Sequence, residues 1–387
     1  MKVTKVKTYL YHGHFNWLLV KLETDEGIEG WGEATTQSAE MATQAHVHTI
    51  GDNYLVGKDP RQIERHVSTL LRNSYWKPSF VIYSAISGLE MAMWDILGKS
   101  LNVPVYTLLG GTCRPRLKMY HNGWWFGAKS YDDYARLAKD MADKGARALK
   151  FDPMQGMDTF IDTTEFNRTV DAIKLVREAV GDSVELMIDV HGRLSPDNSI
   201  RLARAVEPYR PYWWEEPIPT DASLDDLALV ARSINIPVVA GERIYTRWGF
   251  RDLFEKRAAS IINPDIAHEG GILETKKIAD MAHAYYIGVN PHDASGPVLT
   301  AASIQLEAAI PNFLIHEFFS IDIPLYEEVL KEKFPVITEN NYIELPTKPG
   351  LGIEIDEAAL SKRPYKYVDL GAFWATHDDW SEATGRK

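Results

Sequence analysis

The 387-residue chain has a single cysteine, Cys113, which excludes an internal disulfide and a cysteine-based zinc site. Basic residues are the minority, 42 against 54 acidic, giving a formal charge of −12 with no basic cluster. Nucleic acid and anionic membrane surfaces attract through Lys and Arg, so neither is an expected partner. No run reaches the roughly 18 apolar residues of a membrane span. The stretch MKVTKVKTYLYHGHFNW lacks the apolar centre of a signal peptide. A cytoplasmic protein without a membrane partner is expected. What is present is ordinary for a globular protein: 45% hydrophobic and 25% charged residues, and length for about two domains or one large barrel with an appendage. An anionic ligand would need a local positive charge, such as a metal.

Two patterns divide the chain. Residues 1–117 open with strand-like runs, KVTKVKTYLY and WLLVKLETDEGIEGWGEA, with a turn at Asp25-Glu26-Gly27. Helical apolar spacing follows from about Arg61 to Leu101, so this part reads as an α+β unit. Residues 118–340 alternate short apolar runs with amphipathic stretches. The runs are LKMYHNGWW, ARALKFDP, VELMIDVHG, YWWEEP, PVVAGER, SIINPD, YIGVNPH and FLIHEF. Helix-start signals stand between them: Ser130 with Asp133, Ser195 before Pro196, and Ser223 with Asp226. This alternation predicts an α/β architecture, a TIM-like (β/α)7-8 barrel. Residues 341–387 leave the pattern and are expected to return to the N-terminal α+β domain and complete it.

Barrel chemistry sits at the carboxyl ends of the strands. Here those ends supply Lys150 and Asp152, Asp189 and His191, Glu215 and Glu216, Glu242 and Arg243, Asp265, His292 and Glu317. Asp189 and His191 are separated by one valine, so on a strand they point the same way. Asp189, Glu215 and Glu242 are spaced 26 and 27 residues apart, about one βα unit each. Three carboxylates converging in a barrel mouth repel one another unless a cation joins them. All-oxygen ligands suit Mg²⁺, with Mn²⁺ as the second candidate. His191 and His292 lie far apart in strand order and can reach the cavity from opposite sides. Asp265 precedes His292 by one βα unit and would fix its tautomer. Glu317 could donate to, or sit beside, an oxygen that gains charge, if its pKa is raised.

These residues resemble the enolase superfamily, mandelate racemase subgroup, and within it the acid-sugar dehydratases. The resemblance runs through WGEA, AMWDILGKSLNVPVYTLLGG, DVHGR, EPYRPYWWEEP, AGERIYTR, NPDIAHEGGI, NPHDASGP and TKPGLGIEIDE. It implies a barrel with a capping domain, and Asp189, Glu215 and Glu242 as magnesium ligands. It also implies His292, paired with Asp265, as the base beside the substrate carboxylate. His191 would be the acid that protonates the departing 3-hydroxyl, and Glu317 would stabilise the enolate. Racemases of the subgroup carry Lys-x-Lys on the second strand. This chain has Lys150-Phe151-Asp152, which disfavours lysine-dependent racemisation. The implied reaction is Mg²⁺-dependent dehydration of a small-molecule sugar acid to a 2-keto-3-deoxy acid, by a homo-oligomer. Lys150, Asp152 and Arg193 are candidate substrate contacts, as are Trp17, Tyr75 and Trp76 in the first-domain stretches YHGHFNW and NSYWKPSF. Three alternatives stand beside it: an epimerase or lactone cycloisomerase with the same site, a metal-free glycosidase using two of the carboxylates, and a non-catalytic sugar-acid binder.

Overall fold

A computed structural model describes residues 1–154, 156–338 and 340–368. Expectations for residues 369–387 lie outside the described residues. The N-terminal domain is a three-stranded antiparallel sheet in the order β1 (Val3–His12), β2 (Asn16–Thr24), β3 (Glu29–Glu33). Strand β2 is the central one and is buried along nearly its whole length. Helices Glu40–Ile50, Ile63–Asn73 and Phe80–Leu101 cover the sheet. The helical stretch expected from Arg61 to Leu101 is broken at residues 74–79, where Pro78 constrains the residue before it and cannot supply a helical N–H.

Helix Phe80–Leu101, 22 residues long, is by length and composition apolar enough to cross a membrane, though Ser84, Ser87, Glu90 and Asp95 interrupt its apolar run. Yet 78% of its most apolar window is buried in the fold. Its seat on β3 depends on glycine. A Cβ at Gly32 would stand 1.9 Å from the Gly88 carbonyl oxygen, so only a bare backbone lets helix and strand approach this closely.

Eight parallel strands form the barrel: β4 (Arg116–Asn122), β5 (Ala148–Phe151), β6 (Glu185–Asp189), β7 (Trp213–Glu215), β8 (Val238–Ala240), β9 (Ile261–Ile262), β10 (Gly288–Val289) and β11 (His316–Phe319). Strand β11 pairs with β4, and a bridge from Val289 to Phe313 joins β10 to the run entering β11, which closes the ring. Side chains alternate along each strand. One inward layer, Tyr120, Met187, Trp213, Val239, Ile261 and Ile315, packs into a separate apolar plug inside the barrel. Two residues further along their strands, Asn122, Asp189, Glu215, Asn263 and Glu317 occupy the next inward positions. Lys150 stands two residues beyond Ala148 of the same plug. The polar layer is the apolar layer moved up by one period.

The C-terminal segment begins on the barrel. Strand β12 (Tyr342–Glu344) pairs antiparallel with the start of β4. Contacts with the N-terminal domain begin further on, where Gly350 bridges Pro104 and the Leu351 N–H donates to Asp95 at 2.9 Å. Glu357 then takes an ion pair from Lys21 at 2.6 Å, and the Lys366 carbonyl accepts from Asn16 at 2.8 Å.

Candidate active site

The mouth of the barrel, under the N-terminal domain, holds a cavity of about 470 Å³. Ligand oxygens of Asp189, Glu215 and Glu242 lie within 4.8 Å of one another at its floor. Asp189 and Glu215 end β6 and β7 on the inward face. Glu242 stands one position off the alternation, and Gly241 before it, with φ of +149°, bends the chain so that Glu242 joins the other two.

Each carboxylate is held from below. Glu215 accepts from Trp213 Nε1 at 2.8 Å and from Asn263 Nδ2 at 3.1 Å. Asp189 Oδ1 accepts from the His191 N–H at 2.9 Å. Glu242 pairs with Arg243 at 2.9 Å. Burial and the neighbouring Asp189 push the Glu215 carboxyl well above its usual range, against the pull of Lys150. Asp189 Oδ2 is buried and accepts no hydrogen bond. A divalent cation fits this set: three convergent oxygens, no sulfur, one carboxyl too costly to ionise unaided and one buried oxygen with no hydrogen bond, only the Lys150 and His191 nitrogens at 3.3 Å.

Lys150 Nζ lies 2.7 Å from Glu215, 2.8 Å from Glu317 and 3.3 Å from Asp189. Burial disfavours its charge, but Glu215 and Glu317 outweigh burial and raise its pKa well above lysine's usual range. The raised pKa on which donation by Glu317 depends is not found. Burial pushes it up, but Lys150 and His292 prevail and hold it at about 2. Its oxygens accept from Asn122 Nδ2 and the Asp293 N–H, both at 2.9 Å, so it is an anion ringed by donors.

Two histidine–aspartate pairs face each other across the ring, four strands apart. His191, with φ of +52°, puts Nδ1 2.8 Å from Asp152 Oδ2. His292 puts Nδ1 2.7 Å from Asp265 Oδ2 and Nε2 3.7 Å from Glu242. Burial lowers the His292 pKa, but Glu242, Glu317 and Asp265 together raise it well above the usual value. Asp152 divides its charge, taking Arg193 Nη1 at 2.6 Å as well. Burial pushes its carboxyl up, yet Arg193 and His191 hold it at about 2. Asp265 pairs with no Lys or Arg among the described residues. It caps the turn at Ala267, N–H to Oδ1 at 2.7 Å, and has His268 at 3.6 Å.

Of the expected contact residues, Lys150 and Arg193 line the cavity. Asp152 is fully buried behind His191, so its place is that of a positioning residue, which corrects its assignment as a substrate contact. Trp17 is also corrected. It is 0% exposed, stacked on Tyr11 with ring centroids 5.1 Å apart, and faces the core because it sits on β2 rather than in the turn before it. Tyr75 and Trp76 are 84% and 79% exposed and lie outside the lining. The same two loops instead send Phe15 and Phe80 to the cavity wall. Sequence reasoning also missed Asn122, Asn263 and His268. For the two asparagines the period-two step above the plug was the available signal; His268 follows Asp265 by three positions on a short helix and carried none.

Comparison with known proteins follows from this geometry. Residues 11–110 match the pattern described as "Mandelate racemase / muconate lactonizing enzyme, N-terminal domain", and residues 133–359 match "Enolase C-terminal domain-like". A D-galactonate dehydratase of Ralstonia nicotianae is 36% identical over 94% of both chains. One of Variovorax paradoxus is 35% identical over 93% of this chain and 94% of its own. A mandelate racemase/muconate lactonizing enzyme from Sulfitobacter superposes with a TM-score of 0.88 at 35% identity, covering 95% of this chain and 96% of that one.

Proposed function

The chain belongs to the mandelate racemase/muconate lactonizing enzyme family of the enolase superfamily, and from that premise we propose that it is a hydro-lyase, a Mg²⁺-dependent dehydratase of a sugar acid. The observation that carries this function is the pair of histidine–carboxylate dyads on opposite sides of one carboxylate trio. An aldonate such as galactonate is the substrate class that the named relatives favour.

Asp189, Glu215 and Glu242 would hold the cation, which when bound supplies Lewis-acid stabilisation of developing carboxylate charge, worth several kcal/mol. Lys150, buried and cationic, attracts the substrate carboxylate to the same floor. His292 carries its Nδ1 proton on Asp265 and presents Nε2 to the cavity, where it removes the C2 proton and leaves an enediolate. His191, backed by Asp152, donates a proton to the 3-hydroxyl, which departs as water. The enol that remains tautomerises to the 2-keto-3-deoxy acid. Asp265 pairs with no Lys or Arg among the described residues, whereas Asp152 shares its charge with Arg193, so the undivided carboxylate charge backs the His292 side. Phe15, Phe80, Phe126 and Phe319 wall the cavity from water.

Two histidines facing each other also suit epimerisation of a sugar acid, which leaves the mass unchanged. Family membership sets aside the metal-free glycosidase. The test is a panel of aldonic and aldaric acids with purified protein and Mg²⁺, with 2-keto-3-deoxy acids detected by semicarbazide. A positive well establishes dehydration and names the substrate. Exchange of the C2 hydrogen with deuterated solvent, without loss of water, would favour the epimerase instead.

A further inference from the structure

The base dyad is fastened from outside the barrel. After β10, the segment from His292 leads to helix Pro297–Ala309, whose N-cap residue, Gly296, offers no side chain. Glu33, at the end of β3, takes that place. Its Oε1 accepts from the Gly296 N–H at 2.7 Å and its Oε2 from the Leu299 N–H at 3.0 Å. Thr35 Oγ1 braces the carboxylate at 2.6 Å, and Thr36 beside it lines the cavity.

After β9, the segment from Asp265 passes through the short helix Ile266–Glu269, which Asp265 caps, to helix Ile272–Ala284, which has no side-chain cap of its own. Here a polar stripe at three-residue spacing on helix Phe80–Leu101 provides the partners. Ser84 Oγ contacts His268 Nδ1 at 2.7 Å, and Ser87 Oγ accepts from the Gly270 N–H at 2.9 Å. Glu90 accepts from the Ile272 and Leu273 N–H groups at 2.8 and 2.9 Å. Both glutamates are completely buried, so each is placed where an unmade bond is costly.

Among the described residues, no hydrogen bond from the N-terminal domain reaches the carboxylates of the other half. Asp189, Glu215 and Glu242 take their partners from barrel residues: His191, Trp213, Asn263 and Arg243. We propose that Glu33 and Glu90 of the N-terminal domain are positioning residues for the Asp265–His292 dyad: Glu33 caps the helix after His292, Glu90 caps the second helix after Asp265, and together they fix the His292 ring relative to substrate C2. The proposal rests on the dehydratase function above. The domain that walls the substrate thereby also aims the base.

The test uses the full-length, Mg²⁺-loaded protein and its Glu33→Gln and Glu90→Gln variants. The substrate is galactonate, or whichever aldonate the wild type dehydrates, with and without deuterium at C2. A slightly misaimed base costs about 10- to 100-fold in kcat, with KM and Mg²⁺ affinity little changed. The deuterium isotope effect on kcat rises in both variants, because proton removal becomes slower relative to later steps. A loss of kcat that only tracks the folded fraction, with an unchanged isotope effect, would overturn the proposal. Thr35→Val and Ser87→Ala each remove one hydrogen bond of the clamp and one within the N-terminal domain, and are expected to move the isotope effect in the same direction by less, so the test survives misfolding of the Gln variants. If the wild type dehydrates no aldonate, the proposed function fails, and the His292 ring N–H proton resonance still decides the inference. It shifts in both variants if the clamp aims the ring, and its constancy in both would refute the clamp.

Discussion

The two halves of the cavity are built on different principles. The cation half, with its ligands at the ends of β6 to β8, draws on the barrel alone: its carboxylates and their named supports, Asn263 beside β9 included, all belong to the barrel. The base half, on β9 and β10, depends on a second domain whose carboxylates stand at its helix starts. A cation site gains from rigidity, because its ligands must converge at fixed distances. A base must be aimed at a substrate that the N-terminal domain itself encloses, so attaching its segment to that domain couples enclosure to chemistry.

Separating the halves by mutation tests this contrast. The largest effect is expected at His292→Asn, which should lose about 10²- to 10⁴-fold in turnover with Mg²⁺ affinity unchanged by calorimetry. Near-normal turnover would remove His292 from the role of base. Glu215→Gln should do the reverse first, weakening Mg²⁺ binding by more than the roughly 10- to 100-fold that loss of a supporting partner costs. Unchanged Mg²⁺ activation would count against the ligand trio. Asn263→Ala removes only a support of Glu215, and about 10-fold weaker Mg²⁺ binding is expected. If its metal affinity held while the C2 isotope effect rose, the division into two halves would be wrong.

Gly32→Ala tests the connection between domains. Forcing helix Phe80–Leu101 off β3 costs about 1–3 kcal/mol of stability. It should disturb turnover more than Mg²⁺ affinity; equal loss of both would break the comparison. The smallest effect concerns pH. Burial pushes Glu33 up to about 7 and Glu90 up to about 8, against the pull of their hydrogen-bond donors. Folded carboxyls with raised pKa retain protons that the unfolded chain has already released, so stability falls as pH rises from about 4.5 to 8. Denaturant titrations should show a shallower decline for Glu90→Gln than for the wild type. An identical slope would mean that Glu90 is ionised throughout that range.

Much of the cation half was legible in the sequence. Asp189 and Glu215 each stand two residues beyond an apolar plug residue, Met187 and Trp213, and that alternation is local along a strand. The histidines followed because they sit at the same strand ends. Loop contacts were less legible. The right stretches were identified, but Trp17 belongs to the buried face of β2 while Phe15 reaches the cavity, a difference decided by where the turn ends. Likewise Lys150 was visible as a candidate, but its place against Glu215 and Glu317 could not be read from its own strand.

The sequence by itself determined the alternating barrel, the ring of acids and histidines at its strand ends, and the lack of any cysteine-based alternative. Only the tertiary structure showed that a bend at Gly241 brings Glu242, one position off the strand's alternation, to the other two acids, and that Glu317 is an anion held by Lys150. It alone placed Glu33 and Glu90 at the start of barrel helices. Patterns repeating every two or four residues record themselves in neighbouring positions. A hydrogen bond from Gly296 to Glu33, 263 residues away, leaves no local trace because its two ends meet only after both domains have packed.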